Sequence, residues 1–562
     1  MKQLINSAEK IMNTAFWQRL SKTENIILGI VLYGIVMVYT YQYSKIANKY
    51  VLIDEDEIFY YMEAKAISAH NIYQSPISYH GNNSIIGAFG PHGFSYAVKN
   101  GWLAKIFFHA QDPPLLLINF LTFLITLTLI LIFKPFSINT RLKIALIVAT
   151  HNVLYSYTLS YMQETIQFLF AVLAVSALYL LYQTPKPKLN SPEGRNYQLL
   201  NHVTGFIHQL ITNLKMNAGR FYSYFKRTVN LQVRRSSPPH GAGSERLLAS
   251  FLIVIIIAIT FRYSWFIWGL GLLPLASNLK NFTKWLLIVI GLMAFGLFIG
   301  HYLCAPYPKA DLAGYNLVTG ESFLILNSLT IIWQKFTQNL QVFLTPDKSL
   351  ILTCMRYLLL VLLIINSVFA IVKRNRFTIA CTLIGWSYFI ACLALYYIFG
   401  QTDQRILALL NPLLAFSLIG SSNSFIFYPI IAIQLMLFPK VIEERNDSYN
   451  RSITAIDPPD IRISREASYS KIKDLITDDD HDNDAVIVLP MRFVYFARNY
   501  IVNFPLVTKE GNNIHYYSKM VSGNDRRNTH HPNYIFADKE IENSSNQLIY
   551  SDRWMYLYRI LN

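Results

Sequence analysis

Charged residues are scarce in this chain. They make up only 15% of its 562 residues, whereas 53% are hydrophobic and 14% are aromatic. A soluble protein of this length cannot bury so many apolar residues in its core, so the composition excludes an ordinary soluble protein and is typical of a polytopic membrane protein. Cysteine is also rare. The four cysteines lie in or beside apolar segments, so they provide no disulfide framework.

Several familiar signatures are missing as well. The chain has no P-loop, no dinucleotide glycine fingerprint, no convincing nucleophile elbow and no paired CxxC motif. These absences argue against soluble nucleotide-sugar chemistry. The formal net charge is +16, but no basic patch with interleaved stacking aromatics accompanies it, so we expect no nucleic-acid partner.

The chain contains many long apolar segments. Segments of about 17 to 25 residues can cross the hydrocarbon core of a bilayer. Nine segments of this kind lie at 25–43, 115–133, 142–159, 164–182, 285–303, 351–372, 377–399, 406–422 and 424–441. The stretch 247–276 is interrupted by Arg262 and is too long for one ordinary span, so we expect two short helices that turn near Arg262. The sequence therefore predicts about eleven spans, of which the first is a signal anchor.

The distribution of cations predicts the orientation. Segment 183–246 holds ten Lys and Arg against two Glu, so the positive-inside rule assigns it to the cytoplasm as a basic loop. Much of the positive charge would then face membrane lipids. The N-terminus is predicted to be cytoplasmic and the C-terminus extracytoplasmic, in a membrane that we expect to be a bacterial inner membrane.

Two regions are predicted outside the spans on the outer face. The outer loop 44–114 is long enough to be functional and contains patterns of interfacial helices. Residues 443–562 become abruptly polar and read as a small soluble α/β domain. Its short strands are expected at 485–489, 493–496, 534–536, 547–550 and 554–560. The predicted fold class is thus an all-α polytopic membrane module, 1–442, followed by a small extracytoplasmic domain.

Four consecutive carboxylates follow the first span: Asp54, Glu55, Asp56 and Glu57. Like charges this close repel one another, and near a low-dielectric membrane the repulsion raises the pKa of at least one of them unless cations or hydrogen bonds offset it. A raised pKa prepares a carboxylate to act as a general base. The alternative is a solvated acidic patch, which is what most charge runs are.

The predicted topology brings other charged residues to the same face. Glu164, Arg262 and Arg405 all fall on the non-cytoplasmic side together with the acidic run. Ionisable residues at membrane depth tend to mark functional sites, so we expect these side chains to meet. For each residue an ordinary role stays open: Glu164 could cap its own helix, and either arginine could extend to the interface.

The residues after the first span resemble a known group of enzymes. An Asp-Glu pair, an aromatic residue three positions after the Glu and a small residue four later are present as Asp56, Glu57, Tyr60 and Ala64. This pattern resembles the first outer loop of the GT-C superfamily of lipid-linked sugar transferases. That group includes protein O-mannosyltransferases and the aminoarabinose transferase that modifies lipid A. The spacing favours Asp56 and Glu57 over the preceding pair as the equivalent of the catalytic dipeptide.

Three further segments carry the same resemblance. GPHGFSYAVKNGWLAKIFF is similar to the segment before the second span of these enzymes, although His92 and Gly93 replace the paired prolines of many members. SYMQETIQFLFAVLAVSALYLL resembles their fourth span, which an acid opens, and QRILALLNPLLAF resembles a late span that an arginine precedes. The resemblance covers most of the membrane part by pattern, with loose individual motifs. It implies a GT-C fold with about eleven transmembrane helices.

The chemistry implied by the resemblance is transfer of a sugar from a polyprenyl-phosphate donor to an extracytoplasmic acceptor, with inversion. Asp56 would act as the base, and Glu57 or Glu164 would hold the acceptor or tune the base. Arg405 and Arg262 would bind the donor phosphate, because guanidinium groups are planar, permanent donors. The acceptor could be lipid A, a polysaccharide or a protein.

Other residues have weaker assignments. Asp54, Glu55, Tyr60 and His92 are predicted to contact the acceptor or the loop. No cofactor is predicted with certainty, and a divalent metal held with help from His80 or His92 stays an open alternative.

Two other classes of protein also fit parts of the pattern. A transporter or lipid flippase for an anionic lipid-linked substrate would use the acids for coupling ions and the arginines for the substrate, although such proteins usually place their charges near the midplane. A non-catalytic receptor or assembly subunit would use mainly its outer domain.

Overall fold

A computed structural model describes most of the membrane part of the chain and several strands beyond it. The described residues are 15–47, 56–71, 73, 84–85, 89, 93–110, 113–183, 242–302, 325–347, 349–395, 404–422, 424–454, 471, 475, 487–488, 529–530, 534–537, 540, 546–552 and 556–561. Within these residues the protein is mainly helical.

The first half of the described chain contains eight α-helices and one short strand. In chain order they are α1 (Ala15–Ile46), α2 (Asp56–His70), β1 (Ser84–Ile85), α3 (Ser95–Leu103), α4 (Leu115–Ile132), α5 (Ile138–Ala149), α6 (Asn152–Thr158), α7 (Glu164–Gln183) and α8 (Ala242–Phe261). Helix α3 continues as a π-helical turn, Ala104–Phe108.

The second half begins with a 3-10 helix, Tyr263–Leu275. The helices that follow are α9 (Leu279–Tyr302), α10 (Ile325–Leu344), α11 (Leu350–Lys373), α12 (Arg376–Leu395), α13 (Gln404–Leu407), α14 (Leu410–Ala415) and α15 (Phe427–Thr454). A π-helical segment, Phe416–Ser422, and a 3-10 turn, Ser424–Ile426, join α14 to α15.

Six of the described helices are long and apolar enough to cross a membrane: they lie within α1, α4, α7, α9, α11 and α12. Each coincides with a span that the sequence predicts, so the polytopic membrane character is confirmed. The total of about eleven stays a prediction, because the other predicted spans do not combine the length and hydropathy of these six within the described residues.

Helix breaks divide two of the apolar stretches, 247–276 and 142–159. The turn predicted near Arg262 is confirmed, since α8 ends at Phe261 and Arg262 has extended backbone dihedrals, φ −155° and ψ 114°. The 3-10 helix that follows has 13 residues, which at about 2.0 Å per residue extend roughly 26 Å. The predicted span 142–159 is likewise divided, because α5 ends at Ala149 and α6 begins at Asn152.

Helix α4 presents apolar residues to the outside and most of its polar residues to the protein interior. Its sequence is apolar nearly all round, and Leu121 and Ile125 are exposed on its outer surface. Three of its four polar residues, Asn119, Thr122 and Thr126, are spaced along one face and are buried, whereas the hydroxyl of the exposed Thr128 donates to the Leu124 carbonyl of the same helix. Each threonine hydroxyl donates to a carbonyl of its own helix, whereas Asn119 reaches other segments. In a bilayer polar groups must face protein, so this face points to the interior.

The outer loop forms a helical pair against the bundle. Helices α2 and α3 pack closely, and a Cβ atom at Gly101 would lie 2.6 Å from the Cβ of Ile67. The π-helical turn after α3 exposes Ile106 and Phe107, as expected for an interfacial segment. Helix α10 also exposes a large aromatic side chain, Trp333.

Short strands follow the last helix. Strands β2 (Ile487–Val488), β4 (Tyr534–Ala537), β6 (Tyr556–Ile560) and β5 (Asn546–Ser551) form one sheet in that order. The β2–β4 pair is parallel and the other two pairs are antiparallel. The predicted strand at 493–496 lies outside the described residues.

Two features connect these strands to the membrane part. Strand β3 (Thr529–His530) pairs antiparallel with β1 of the outer loop, so both regions lie on the same side of the protein. Helix α15 continues to Thr454, well past the end expected for the span 424–441. The domain boundary proposed at 442 therefore falls inside a continuous helix.

Candidate functional site

The first predicted site residues lie at the start of α2. This helix begins at Asp56, the position that the sequence pattern favours for the first catalytic acid. Asp54 and Glu55 lie outside the described residues, and so does the side chain of Asp56. Glu57 is fully buried, and its Oε1 accepts a hydrogen bond of 2.9 Å from the backbone N–H of Tyr161. Glu57, the last residue of the acidic run, therefore binds the turn 159–163 before α7.

Glu164, the first residue of α7, is the centre of an ion-pair cluster. Arg262 donates from Nη2 to Glu164 Oε1 at 3.4 Å, and Arg405 Nε lies 3.4 Å from the same oxygen. The Glu164 side chain is 1% exposed. Since Arg262 follows α8 and Arg405 lies in α13, the fold brings together charges from three distant parts of the chain. We call Glu57, Glu164, Arg262 and Arg405 the acid–arginine cluster.

Two buried polar side chains, those of Asn119 and Tyr96, form hydrogen bonds with the backbone of the turn 159–163. Asn119 Nδ2 lies 2.8 Å from the carbonyl oxygens of both Ser160 and Met162. The Tyr96 hydroxyl lies 2.9 Å from the carbonyl oxygen of Tyr161, 3.1 Å from that of Met162 and 3.3 Å from Asn119 Oδ1. Both side chains have no exposed surface. The turn is thus fixed to α3 and α4.

The carboxylates of Glu57 and Glu164 both influence the pKa of the Tyr96 hydroxyl. Burial raises the pKa of the Tyr96 hydroxyl well above its usual value, and the negative charges of Glu164 and Glu57 raise it further. Tyr96 therefore stays a protonated hydrogen-bond donor at any physiological pH. Its hydroxyl lies within the field of both carboxylates.

Arg262 is positioned by the glycine-containing segment of the outer loop. Gly93 has φ +98°, and a Cβ atom there would lie 2.3 Å from the carbonyl oxygen of Phe261, the residue before Arg262. Ser95 Oγ donates to Thr260 Oγ1 at 2.7 Å. Only glycine suits this backbone conformation and this close approach. The segment that departs from the paired-proline pattern therefore packs directly on the helix end that carries Arg262.

Arg445 is a nearby cation that the sequence reasoning missed. Its Nη2 donates to the carbonyl oxygen of Leu159, the first residue of the turn, at 3.1 Å. It lies in the part of α15 that the sequence assigned to the outer domain, so no membrane-depth signal pointed to it. Arg405 also lies over the Tyr157 ring, with its guanidinium carbon 5.9 Å from the ring centroid.

Charged groups of both signs lie at this turn. The guanidinium groups of Arg262 and Arg405 lie at Glu164, and Arg445 binds the Leu159 carbonyl of the turn. Among the described residues, Glu164 Oε2 is buried and has no hydrogen-bond partner. Buried polar atoms without partners are rare in native proteins and frequently mark functional sites. The arrangement offers donors for an anion and a carboxylate oxygen that can accept a hydrogen bond.

The other residues predicted to contact the acceptor, the loop or a metal are Tyr60, His92 and His80. Tyr60 is buried and packs edge-to-face on Tyr96, with ring centroids 5.0 Å apart, so it supports the turn from within. His92 and His80 lie outside the described residues. No group of three His, Cys, Asp or Glu suited to a metal occurs within the described ranges. The two guanidinium groups on Glu164 also make it a poor ligand for a cation.

A cleft lies next to Arg405. Its walls come from the α5–α6 junction, the end of α10, α11 and α13–α14. Apolar residues dominate the walls. The lining residues are His151, Asn152, Val153, Phe343, Met355, Arg356, Leu358, Leu359, Leu362, Leu407, Ala408, Asn411 and Leu414.

Comparisons with known proteins give distant similarities only. No protein-family model matches the sequence, and no curated protein sequence matches it significantly. The crystal structure of the Archaeoglobus fulgidus oligosaccharyltransferase in the apo form is similar with a TM-score of 0.46 and 11% identity, over 93% of this chain and 70% of that chain.

A second similar structure is the archaeal oligosaccharyltransferase AglB from the same organism, in complex with an inhibitory peptide and a dolichol-phosphate. It has a TM-score of 0.45 and 11% identity, over the same 93% and 70%. Since both scores are low, the functional proposal rests on the residues of this chain.

Proposed function

We propose that this protein is an integral membrane glycosyltransferase of the GT-C type. It moves a sugar from a polyprenyl-phosphate donor to an acceptor on the outer face of the membrane, with inversion at the anomeric carbon. The observation that carries this proposal is the acid–arginine cluster. Carboxylates and guanidinium groups from four parts of the chain meet at one buried turn.

The donor phosphate is assigned to the arginines. A leaving group that is already a phosphate needs charge stabilisation more than protonation, and guanidinium groups match phosphate oxygens with two parallel donors. Arg405 and Arg262 would hold it while Glu164 fixes their planes. The polyprenyl chain is assigned to the leucine-lined cleft beside Arg405.

The acceptor is assigned to the acids. In the reaction the acceptor oxygen attacks the anomeric carbon, the bond from this carbon to the phosphate oxygen breaks, and the phosphate leaves with the electron pair. Asp56 takes the proton of the acceptor, and a positioned base of this kind contributes about 10² to 10⁴ in rate. Glu164 Oε2, which is buried without a partner among the described residues, would accept a hydrogen bond from the acceptor.

The two Asp-Glu pairs of the acidic run, at positions 54–55 and 56–57, provide a matched test of which aspartate is the catalytic base. Purified protein in liposomes is supplied with a panel of polyprenyl-phosphate sugars and an extract of envelope glycolipids and proteins, and products are identified by mass spectrometry. Asp56→Asn is expected to abolish turnover while donor binding remains. Asp54→Asn, two positions earlier, is expected to retain most of the activity.

Each alternative gives a different result. Equal loss in both variants would place the catalytic acid elsewhere, and full activity in Asp56→Asn would remove it from the mechanism. Movement of the lipid-linked sugar across sealed vesicles without a covalent product would identify a transporter and overturn the proposal.

A further inference from the structure

The turn 159–163 joins the two halves of the acid–arginine cluster. Its Tyr161 N–H binds Glu57, and its last residue directly precedes Glu164. A turn of five residues has no ladder of its own to hold it, so its geometry depends on the side chains that bind its carbonyl groups.

Two buried side chains bind three of those carbonyl groups, and Arg445 binds a fourth, that of Leu159. Asn119 lies on the buried polar face of α4, and its amide reaches the carbonyl oxygens of Ser160 and Met162. Tyr96 shares its single proton among the carbonyl oxygens of Tyr161 and Met162 and the amide oxygen of Asn119. Three successive carbonyl groups of the turn are therefore satisfied from one side.

We infer that Tyr96 and Asn119 are positioning residues, which set the distance and orientation between Glu57 and Glu164 through the turn 159–163. This inference rests on the proposed transferase function. A shift of about 1 Å between reacting groups costs up to about 10²-fold in rate. Loss of either side chain should therefore lower turnover more than it lowers donor binding.

The test compares kcat and KM of folded, purified variants. Tyr96→Phe removes one hydroxyl and keeps the ring that packs on Tyr60. We expect kcat to fall about 10-fold to 100-fold, with the donor KM within about threefold of the wild-type value. Asn119→Leu should have an effect of the same order, and Asn119→Gln, which keeps an amide, should recover part of it.

A double variant separates positioning from general destabilisation. If both side chains act through the same turn, Tyr96→Phe combined with Asn119→Leu should cost much less than the product of the two single effects. Thr126→Val is the matched control, because this buried hydroxyl in α4 bonds only to its own helix at Thr122. It should leave kcat unchanged.

Three results would overturn the inference while leaving the transferase intact. They are a wild-type kcat in Tyr96→Phe, a loss that only follows the fraction of unfolded protein, or the same loss in Thr126→Val. A wild-type protein that transfers no sugar from any donor would overturn the proposed function, and the inference would fall with it.

Discussion

Two charge clusters lie at opposite ends of the α5–α6 segment and differ in how completely their polar groups are satisfied. At one end, Lys143 Nζ lies 2.7 Å from Glu24 Oε1, the Tyr428 hydroxyl donates to Glu24 at 2.6 Å, and the lysine lies over the Tyr428 ring at 4.9 Å. At the other end, both guanidinium contacts to Glu164 are 3.4 Å long, and Glu164 Oε2 has no partner among the described residues.

The difference teaches what each cluster is suited for. The Glu24–Lys143 pair joins α1, α5 and α15 with short contacts, as a structural ion pair does. The acid–arginine cluster keeps longer contacts and an open acceptor, so a substrate can still improve its interactions. Interactions that become strongest only in the transition state are the kind that raise kcat.

The largest effect is expected at Arg405. Arg405→Lys keeps the charge but loses the planar fork, so we expect kcat/KM for the donor to fall about 10²-fold, as it does when one charge-stabilising donor is removed. The measurement is steady-state transfer with varied donor concentration. Arg246→Lys, at an exposed position of α8, should change nothing. A similar value in Arg405→Lys and the wild type would contradict the phosphate-binding role.

Substitution in the Glu24–Lys143 pair should lower stability and leave transfer unchanged. Glu24→Gln leaves the 4% exposed Lys143 without its carboxylate, so we expect the protein to lose roughly 1–3 kcal/mol of stability. Thermal unfolding in detergent measures this change. Transfer per folded molecule should stay at the wild-type level, and a specific loss of kcat here would erase the distinction between the two clusters.

Gly93 tests the connection between the outer loop and Arg262. Gly93→Ala places a side chain at φ +98° against the Phe261 carbonyl, so we expect a cost of about 1–3 kcal/mol and reduced transfer. Gly29→Ala is the control, because a Cβ atom at Gly29 meets nothing within 4 Å. Equal unfolding temperatures for the two variants would show that the close approach is unimportant.

The smallest effect is a pH dependence outside both clusters. Lys99 in α3 has a buried Nζ with no hydrogen-bond partner among the described residues, and burial lowers its pKa to about 7. Because the unfolded chain binds this proton more tightly, stability should rise as the pH increases from about 7 to about 10 and be flat below 7. Lys99→Met should be more stable at neutral pH and lose this rise, which unfolding temperatures across the pH range would test.

Part of the site could be predicted from the sequence. The charged residues Glu164, Arg262 and Arg405 are conspicuous because apolar spans surround them, and the positive-inside rule assigns them to one face. The break at Arg262 and the helix start at Asp56 also follow from local patterns. Asn119 and Tyr96 gave no such signal, since an asparagine in a span or a tyrosine in an amphipathic helix has many ordinary roles.

The sequence by itself determined which segments are apolar and on which side their charges are expected, because burial in lipid and the bias of basic loops act on each segment separately. Only the tertiary structure decided that Glu57 meets the turn 159–163 and that Glu164 faces Arg262, 98 positions away. Such contacts depend on how helices pack and where they break. Those features follow from the shapes of neighbouring helices and not from any one segment.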